Sequence, residues 1–303
     1  MKKIIVFALL LVLSLAACVP PKSGSGAAAS APPVDVGQAE TLMDIKEFPL
    51  IDGSTATLPL TRALVRYFTG ISADEAEILI AHSTTDDSYW NLSGGNADLI
   101  IAYEASASTK EGVPKAIFDT GKTVGRDALV FLCNKENSVE GLTTEQIQKI
   151  YTGEYTDWKA VGGKAGKIVA YQRQEDSGSQ TMMLKLVMNG LQMADAPTEL
   201  RPGMMSALME AVADYKNEGG AIGYSVYYYV KNMYIVPVKI LSVDGIAPTN
   251  ESIKSGQYPF INEFKAYYNP DTFGKNPNTK IIYDFLTSDK GRELIEKVGY
   301  VGA

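Results

Sequence analysis

The chain has 303 residues, 46% hydrophobic and 21% charged, a globular balance that excludes a wholly disordered or low-complexity protein. Lys and Arg total 28 against 35 Asp and Glu, a formal charge of −7, which argues against a nucleic-acid-binding surface. One histidine and two cysteines are too few for a His/Cys zinc or iron–sulfur site, so neither a metal nor a cofactor is expected.

Lys2 and Lys3 precede an apolar run from Ile4 to Leu13 and small residues up to Cys18, the order of an export signal over residues 1–17. The run is short of the roughly 20 residues that span a bilayer. Leu15-Ala16-Ala17-Cys18 resembles the lipobox of bacterial lipoproteins. That resemblance implies cleavage before Cys18 and lipid on its thiol and new amino terminus, hence membrane attachment. Residues 18–46 then read as a spacer, because Pro20, Pro21, Ser23, Gly24, Ser25, Gly26 and an alanine run give no apolar periodicity. With Cys18 lipidated, Cys133 in the apolar run Ala128–Cys133 is left as a buried thiol.

From about Glu47, short β-prone runs alternate with helical stretches, the pattern of an α/β fold. Leu58–Phe68 predicts a helix with Pro59 in its first turn, where a missing N–H costs nothing. Ala97–Ala102 and Ala128–Cys133 predict buried strands. Thr143–Tyr151 predicts a capped helix ended by Gly153, and Gln180–Met188 a Met-rich helix entered from a Gly/Ser turn. Thr279–Val298 predicts a closing helix or helix pair broken near Gly291. The tyrosines Tyr224, Tyr227, Tyr228, Tyr229 and Tyr234 are expected to pack a strand and the segment after it.

Three turn-to-helix junctions carry the chemistry. Ser54, Thr55, Ala56 and Thr57 stand directly before a helix, where free N–H groups, the dipole and hydroxyls make an anion cradle in outline; taken alone, this stretch is read more simply as plain helix capping. Ser83 and Thr85 stand at a second entrance, although Asp86 and Asp87 would suit an empty helix end as well. His82 neighbours Ser83 on an extended segment and so points away from it, which predicts a structural histidine rather than a base. The third junction joins Arg173, a planar fork of donors, to the tight turn Ser177-Gly178-Ser179 before a helix. An arginine and a glycine turn aimed at one point suggest an oxyanion.

Leu142–Gly153, Thr156–Gly163 and Ala170–Thr181 together resemble the phosphate-binding lipoproteins of ABC phosphate importers, the PstS type. Gly53–Leu60, Gly220–Ser225, Asp244–Thr249, Gly256–Phe260 and Val298–Val301 extend the likeness over nearly all of the chain beyond residue 50. The resemblance implies an α/β bilobal periplasmic-binding-protein fold of type II, with lobe 1 at 47–128 plus 260–303 and lobe 2 at 129–259. Ala128–Cys133 and Pro259–Tyr268 would be the crossing strands. It implies phosphate contacts from Ser54, Thr55, Ala56, Thr57, Ser83, Thr85, Arg173, Ser177, Gly178 and Ser179, an ABC permease as partner, and a monomer. Where the family carries an aspartate or a serine-arginine pair after the Ala97–Ala102 strand, this chain has Tyr103-Glu104. Phosphate keeps a proton that a carboxylate can accept and sulfate does not, so Glu104 is expected to face the anion and select phosphate.

Two other functions compete: a receptor for another oxyanion or a phosphate sensor that does not transport, and a serine hydrolase or phosphatase using Ser177 or Ser179. The hydrolase lacks a Gly-x-Ser-x-Gly elbow there and a base beside the serine.

Overall fold

The structure, a computed structural model, describes residues 34–214 and 220–303. The expected export signal, Cys18 and the expected spacer as far as residue 33 lie outside the described residues. Residues 34–46, expected within the spacer, are packed. Val36 is buried, the Ala39 and Met43 amides donate to the Tyr67 and Phe68 carbonyls (both 2.9 Å), and Arg66 donates to the Val34 carbonyl.

Strand β1 (Ile51–Gly53) enters a 3-10 turn (Thr55–Thr57) and helix α1 (Leu58–Thr69), whose Pro59 sits in the first turn. Helices α2 (Ala73–Leu79) and α3 (Thr85–Ser93) lead to β2 (Leu99–Ala102), then α4 (Ala107–Gly112) and α5 (Lys115–Phe118) to the thirteen-residue β3 (Lys122–Asn134). Next come β4 (Gly141–Leu142), α6 (Thr144–Tyr151), β5 (Val169–Ala170), α7 (Gly178–Met182) with a π-helical continuation over Met183–Met188, and α8 (Met205–Ala213). Strands β6 (Ala221–Val226), β7 (Val238–Ile240) and β8 (Ser242–Val243), helix α9 (Asn250–Lys254) and strand β9 (Ile261–Tyr268) follow. Helices α10 (Asn278–Phe285) and α11 (Asp289–Val298) and strand β10 (Val301–Gly302) complete the described chain.

Strand β3 determines the architecture. Its first half pairs antiparallel with β9, from Lys122↔Ala266 to Ala128↔Ile261, and with β10 at Arg126↔Val301. Its second half pairs with β6, from Leu129↔Val226 to Cys133↔Ile222, and with β7. One strand of roughly 43 Å therefore serves two sheets and changes partners between Ala128 and Leu129. The crossing strand is thus longer than the apolar run Ala128–Cys133. β9 bonds only to β2 and the first half of β3, so the return crossing is made just before it, where Leu129 donates to the Phe260 carbonyl and Tyr258 to that of Leu129.

In each half a parallel pair lies side by side, β1 with β2 and β5 with β6. Parallel sheets leave their functional loops at the carboxyl ends of the strands. The loops at Ser54, Tyr103, Arg173 and Val226 are those ends. The closing helix breaks at Leu286–Ser288, before Gly291 rather than at it. Gly291 sits inside α11 because the preceding helix comes so close that a β-carbon there would stand 1.9 Å from the Phe285 carbonyl oxygen. Cys133 is a free, buried thiol whose pKa burial pushes up to about 12.

Beside the crossover lies a buried polar knot. Asp127 accepts from the Tyr103 hydroxyl (2.6 Å) and from the Ala128 and Tyr228 amides (2.7 and 3.1 Å), while the Tyr228 ring stacks on Tyr300 at 3.5 Å. Tyr300 in turn donates to the Ala56 carbonyl (2.6 Å), propping the loop after β1 from below. Burial raises the Asp127 pKa from 3.8 to about 6 despite these donors. Because the folded value lies above the unfolded one, folding takes up a proton in between: stability from this group is complete below pH 3.8 and declines as pH rises to about 6. Asp127→Asn removes the titration while keeping an acceptor for both amides. The stability of the wild type relative to this variant should fall by the order of 3 kcal/mol between pH 4 and pH 7, read from urea unfolding. A flat difference would place the Asp127 pKa near its ordinary value.

Candidate functional site

A cavity of about 300 Å³ lies where the carboxyl-end loops of the two halves meet. Ser54, Thr55, Ala56, Ser83, Thr85, Arg173, Ser177, Gly178 and Ser179 all line it, so nine of the residues singled out in three separate junctions come together. The two halves touch there: a β-carbon on Gly178 would stand 2.5 Å from Thr85 Oγ1.

Arg173 supplies the charge. It is 7% exposed, its Nη2 donates to the Gly203 carbonyl (2.9 Å), and its Nε and Nη1 are buried without a partner. No carboxylate of the described residues stands within ion-pair distance of it. Burial pulls its pKa below the ordinary guanidinium value, the mark of a cation held out of water. Its backbone is pinned from behind by the Tyr224 hydroxyl, which accepts from the Arg173 amide at 3.0 Å and donates to Gln180 Oε1.

Hydroxyls face it in two pairs. Ser54 Oγ lies 2.8 Å from Thr85 Oγ1 and accepts from the Tyr103 amide (3.0 Å), and Ser177 Oγ lies 2.9 Å from Ser179 Oγ. Each pair owns two hydroxyl protons and uses one internally, leaving one to donate into the cavity. The helix starts add backbone donors: Ser54 and Ser177 stand at N-cap positions with no side-chain cap bond, so the amides after them remain turned outward. Together these donors and one uncompensated cation fit a small anion that accepts on every side.

Three residues expected to contact the anion have their polar groups engaged elsewhere. Thr57 does not line the cavity; fully buried, its hydroxyl lies 2.6 Å from the Ile101 carbonyl oxygen and 2.8 Å from that of Ser54, stapling the loop to β2. Ser83 reaches the wall, but its amide and hydroxyl both donate to Asp52 (2.8 and 2.7 Å), leaving no donor over. Burial raises the Asp52 pKa, yet hydrogen bonds from Asn91 and Ser83 outweigh it and hold this carboxyl below its ordinary value. Glu104 turns away from the cavity and forms ion pairs with Lys110 and Lys185. One residue along from Tyr103 the backbone faces the opposite way, so a carboxylate at this position leaves the site. His82 is structural: Nδ1 lies 3.0 Å from the Ser54 carbonyl, an acceptor only, so it is the protonated nitrogen, and Nε2 accepts from Thr61 (3.0 Å).

The rest of the wall comes from Thr84, Tyr103, Gln174, Asp176, Val226, Tyr229 and the entrance of α8, Gly203 to Ser206. That entrance carries no capping signal in the sequence because its N-cap is Met204 rather than a hydroxyl or Asx residue. The Pro202-Gly203 turn ahead of an apolar run was the only clue.

A PBP superfamily domain profile matches residues 37–290. The chain belongs to the PBP superfamily. Within it, the chain is 29% identical over 255 residues to the phosphate-binding protein PstS of Bacillus subtilis, covering 83% of this chain and 79% of that protein. It is 26% identical over 263 residues to PstS of Borreliella burgdorferi, covering 86% and 91%. Among solved structures, a substrate-binding protein from Clostridium perfringens with bound phosphate matches with a TM-score of 0.61 at 22% identity, over 84% of this chain and 98% of that one. An ABC-type phosphate transport receptor from Vibrio cholerae matches with a TM-score of 0.60 at 23% identity, over 84% and 99%. The fold of this PBP superfamily chain is accordingly the bilobal type II fold, and β3 is its crossing strand.

Arg173→Met should cost anion affinity on the order of a hundredfold or more while leaving thermal stability of the unliganded protein unchanged or raised, because an unpaired buried charge is removed. Titration calorimetry and thermal melts check the two halves; a large drop in melting temperature would instead make Arg173 a structural cation. Gly178→Ala should weaken anion binding about tenfold with little change in unfolding free energy, since the added methyl meets Thr85 across the cleft rather than inside either half. Loss of stability equal to loss of binding would contradict that placement.

Proposed function

We propose that this chain is an extracytoplasmic receptor that closes over inorganic phosphate and delivers it to an ABC permease, performing no chemistry. One observation carries the reading: a buried guanidinium without a carboxylate partner, fronted by two hydroxyl pairs and open helix starts, inside a cavity between two lobes. The phosphate binding named for the Bacillus subtilis and Borreliella burgdorferi relatives supports it. The hydrolase alternative has no support from the site, because both nitrogens of the only histidine are occupied by Ser54 and Thr61, away from Ser177 and Ser179.

The leader and Cys18 support export and a lipid anchor on the outer face of the cell membrane, with the protein acting as a monomer. No helix of the described residues is long and apolar enough to cross a membrane. Lobe 1 would take residues from about 34 to 128 with 261–303, and lobe 2 the segment between, divided where β3 changes partners.

With Glu104 outside the cavity, Asp176 is the carboxylate on its wall and the candidate acceptor for a phosphate proton. Calorimetric titration with phosphate, sulfate, arsenate and molybdate tests the reading. Phosphate and arsenate should bind and sulfate only weakly; tighter binding of sulfate or molybdate, or no heat with phosphate, would overturn it. Asp176→Asn should narrow the phosphate-to-sulfate ratio, whereas Glu104→Gln should leave it as it is.

A further inference from the structure

Glu104 follows Tyr103 on the cavity wall, in the loop after β2, and belongs with the first half of β3. Lys185 belongs to the opposite lobe, in the π-helical continuation of α7. Their ion pair, 2.5 Å between Lys185 Nζ and Glu104 Oε2, therefore spans the cleft. The other carboxylate oxygen is held by Lys110 of α4, on the same side as Glu104. Beside the pair lies a gap of about 650 Å³ with Tyr89, Phe118 and Lys265 on one bank and Lys185 and Leu186 on the other. The helix that carries Lys185 begins at Gly178, which touches Thr85 inside the anion cavity, seven residues or about 10 Å earlier.

We propose that Glu104 and Lys185 form a latch for the closed receptor, with Lys110 as the holder that keeps the carboxylate aimed when the lobes part. This rests on the phosphate reading for its ligand, and it makes Glu104 a positioning residue. When the lobes open, Glu104 loses Lys185 and keeps Lys110, so the carboxylate is never stranded and the cost of opening is confined to one contact. The Glu104 side chain is 29% exposed, which protects the pair partly from solvent; Lys185, at 58%, is the end that swings free. Both lysines, acting against burial, hold the Glu104 carboxyl below its ordinary pKa, so the latch stays charged at neutral pH. Because the contact exists only with the lobes shut, its effect falls on release rather than capture.

The test uses Glu104→Gln, Lys185→Gln, both together, and Lys110→Gln, in stopped-flow phosphate release and capture. Either latch variant should speed release by about two- to tenfold with an unchanged capture rate, and the double variant should be no faster than the singles. Added salt should speed release from the wild type and not from Lys185→Gln. Lys110→Gln should have the smaller effect. Spin labels at the exposed positions Ile78 and Leu191, one on each lobe, read lobe separation without any ligand, so this arm stands even if the anion is not phosphate. There the latch variants should shift the distances toward the open form. Wild-type release and wild-type distances in Glu104→Gln and Lys185→Gln would overturn the latch, as would an equal effect from Lys110→Gln. Absence of phosphate binding to the wild type would overturn the functional reading instead.

Discussion

The structure depends on keeping one positive charge out of water without giving it a negative partner. A guanidinium buried with two unpaired nitrogens is costly in an empty protein, and that cost is what a bound anion relieves. The surroundings of Arg173 make sense on this basis. Tyr224 fixes its backbone, the Gly203 carbonyl takes one nitrogen, and three carboxylates behind the wall are occupied elsewhere, Asp52 with Ser83 and Asn91, Asp127 with Tyr103 and Asp86 with Ser106, which leaves Asp176 on the wall itself. An acidic chain can therefore hold an anion, because the donors act at contact distance while charges on the outer surface are screened over about 8 Å.

Two lobes are needed because neither carries the whole site. Ser54 and Thr85 come from the loops of one sheet, Arg173, Ser177 and Ser179 from those of the other, and β3 runs through both. A strand that changes partners in mid-course is a natural pivot, since the backbone bonds on either side of Ala128 and Leu129 go to different sets of strands. The polar knot around Asp127 sits at that pivot and reaches the cavity through Tyr103.

Much of this was readable in the residues. The junctions at Ser54, Thr85 and Ser177 announce themselves through hydroxyls before helices, and Arg173 through its place ahead of a Ser-Gly-Ser turn, because local donor chemistry is written in adjacent positions. Side-chain direction was not. Thr57 and Glu104 lie beside wall residues and Ser83 is one, and all three look alike in sequence, yet a half-turn of backbone sends Thr57 under the loop, a distant Asp52 captures both donors of Ser83, and Lys185, which holds Glu104, lies 81 residues from it. The α8 entrance was invisible because an uncapped helix start shows the absence of a signal. The expected export leader and lipid attachment at Cys18 fall outside the described residues.

Tyr300 props Ala56 from 244 residues further along the chain. The first anion loop is thus among the earliest segments to be synthesised and among the last to be braced, and β10 and β9 must arrive before its sheet is complete. Recognition at this loop therefore waits on residues at the far end of the chain, a dependence that lies in the topology and not in the loop's own residues.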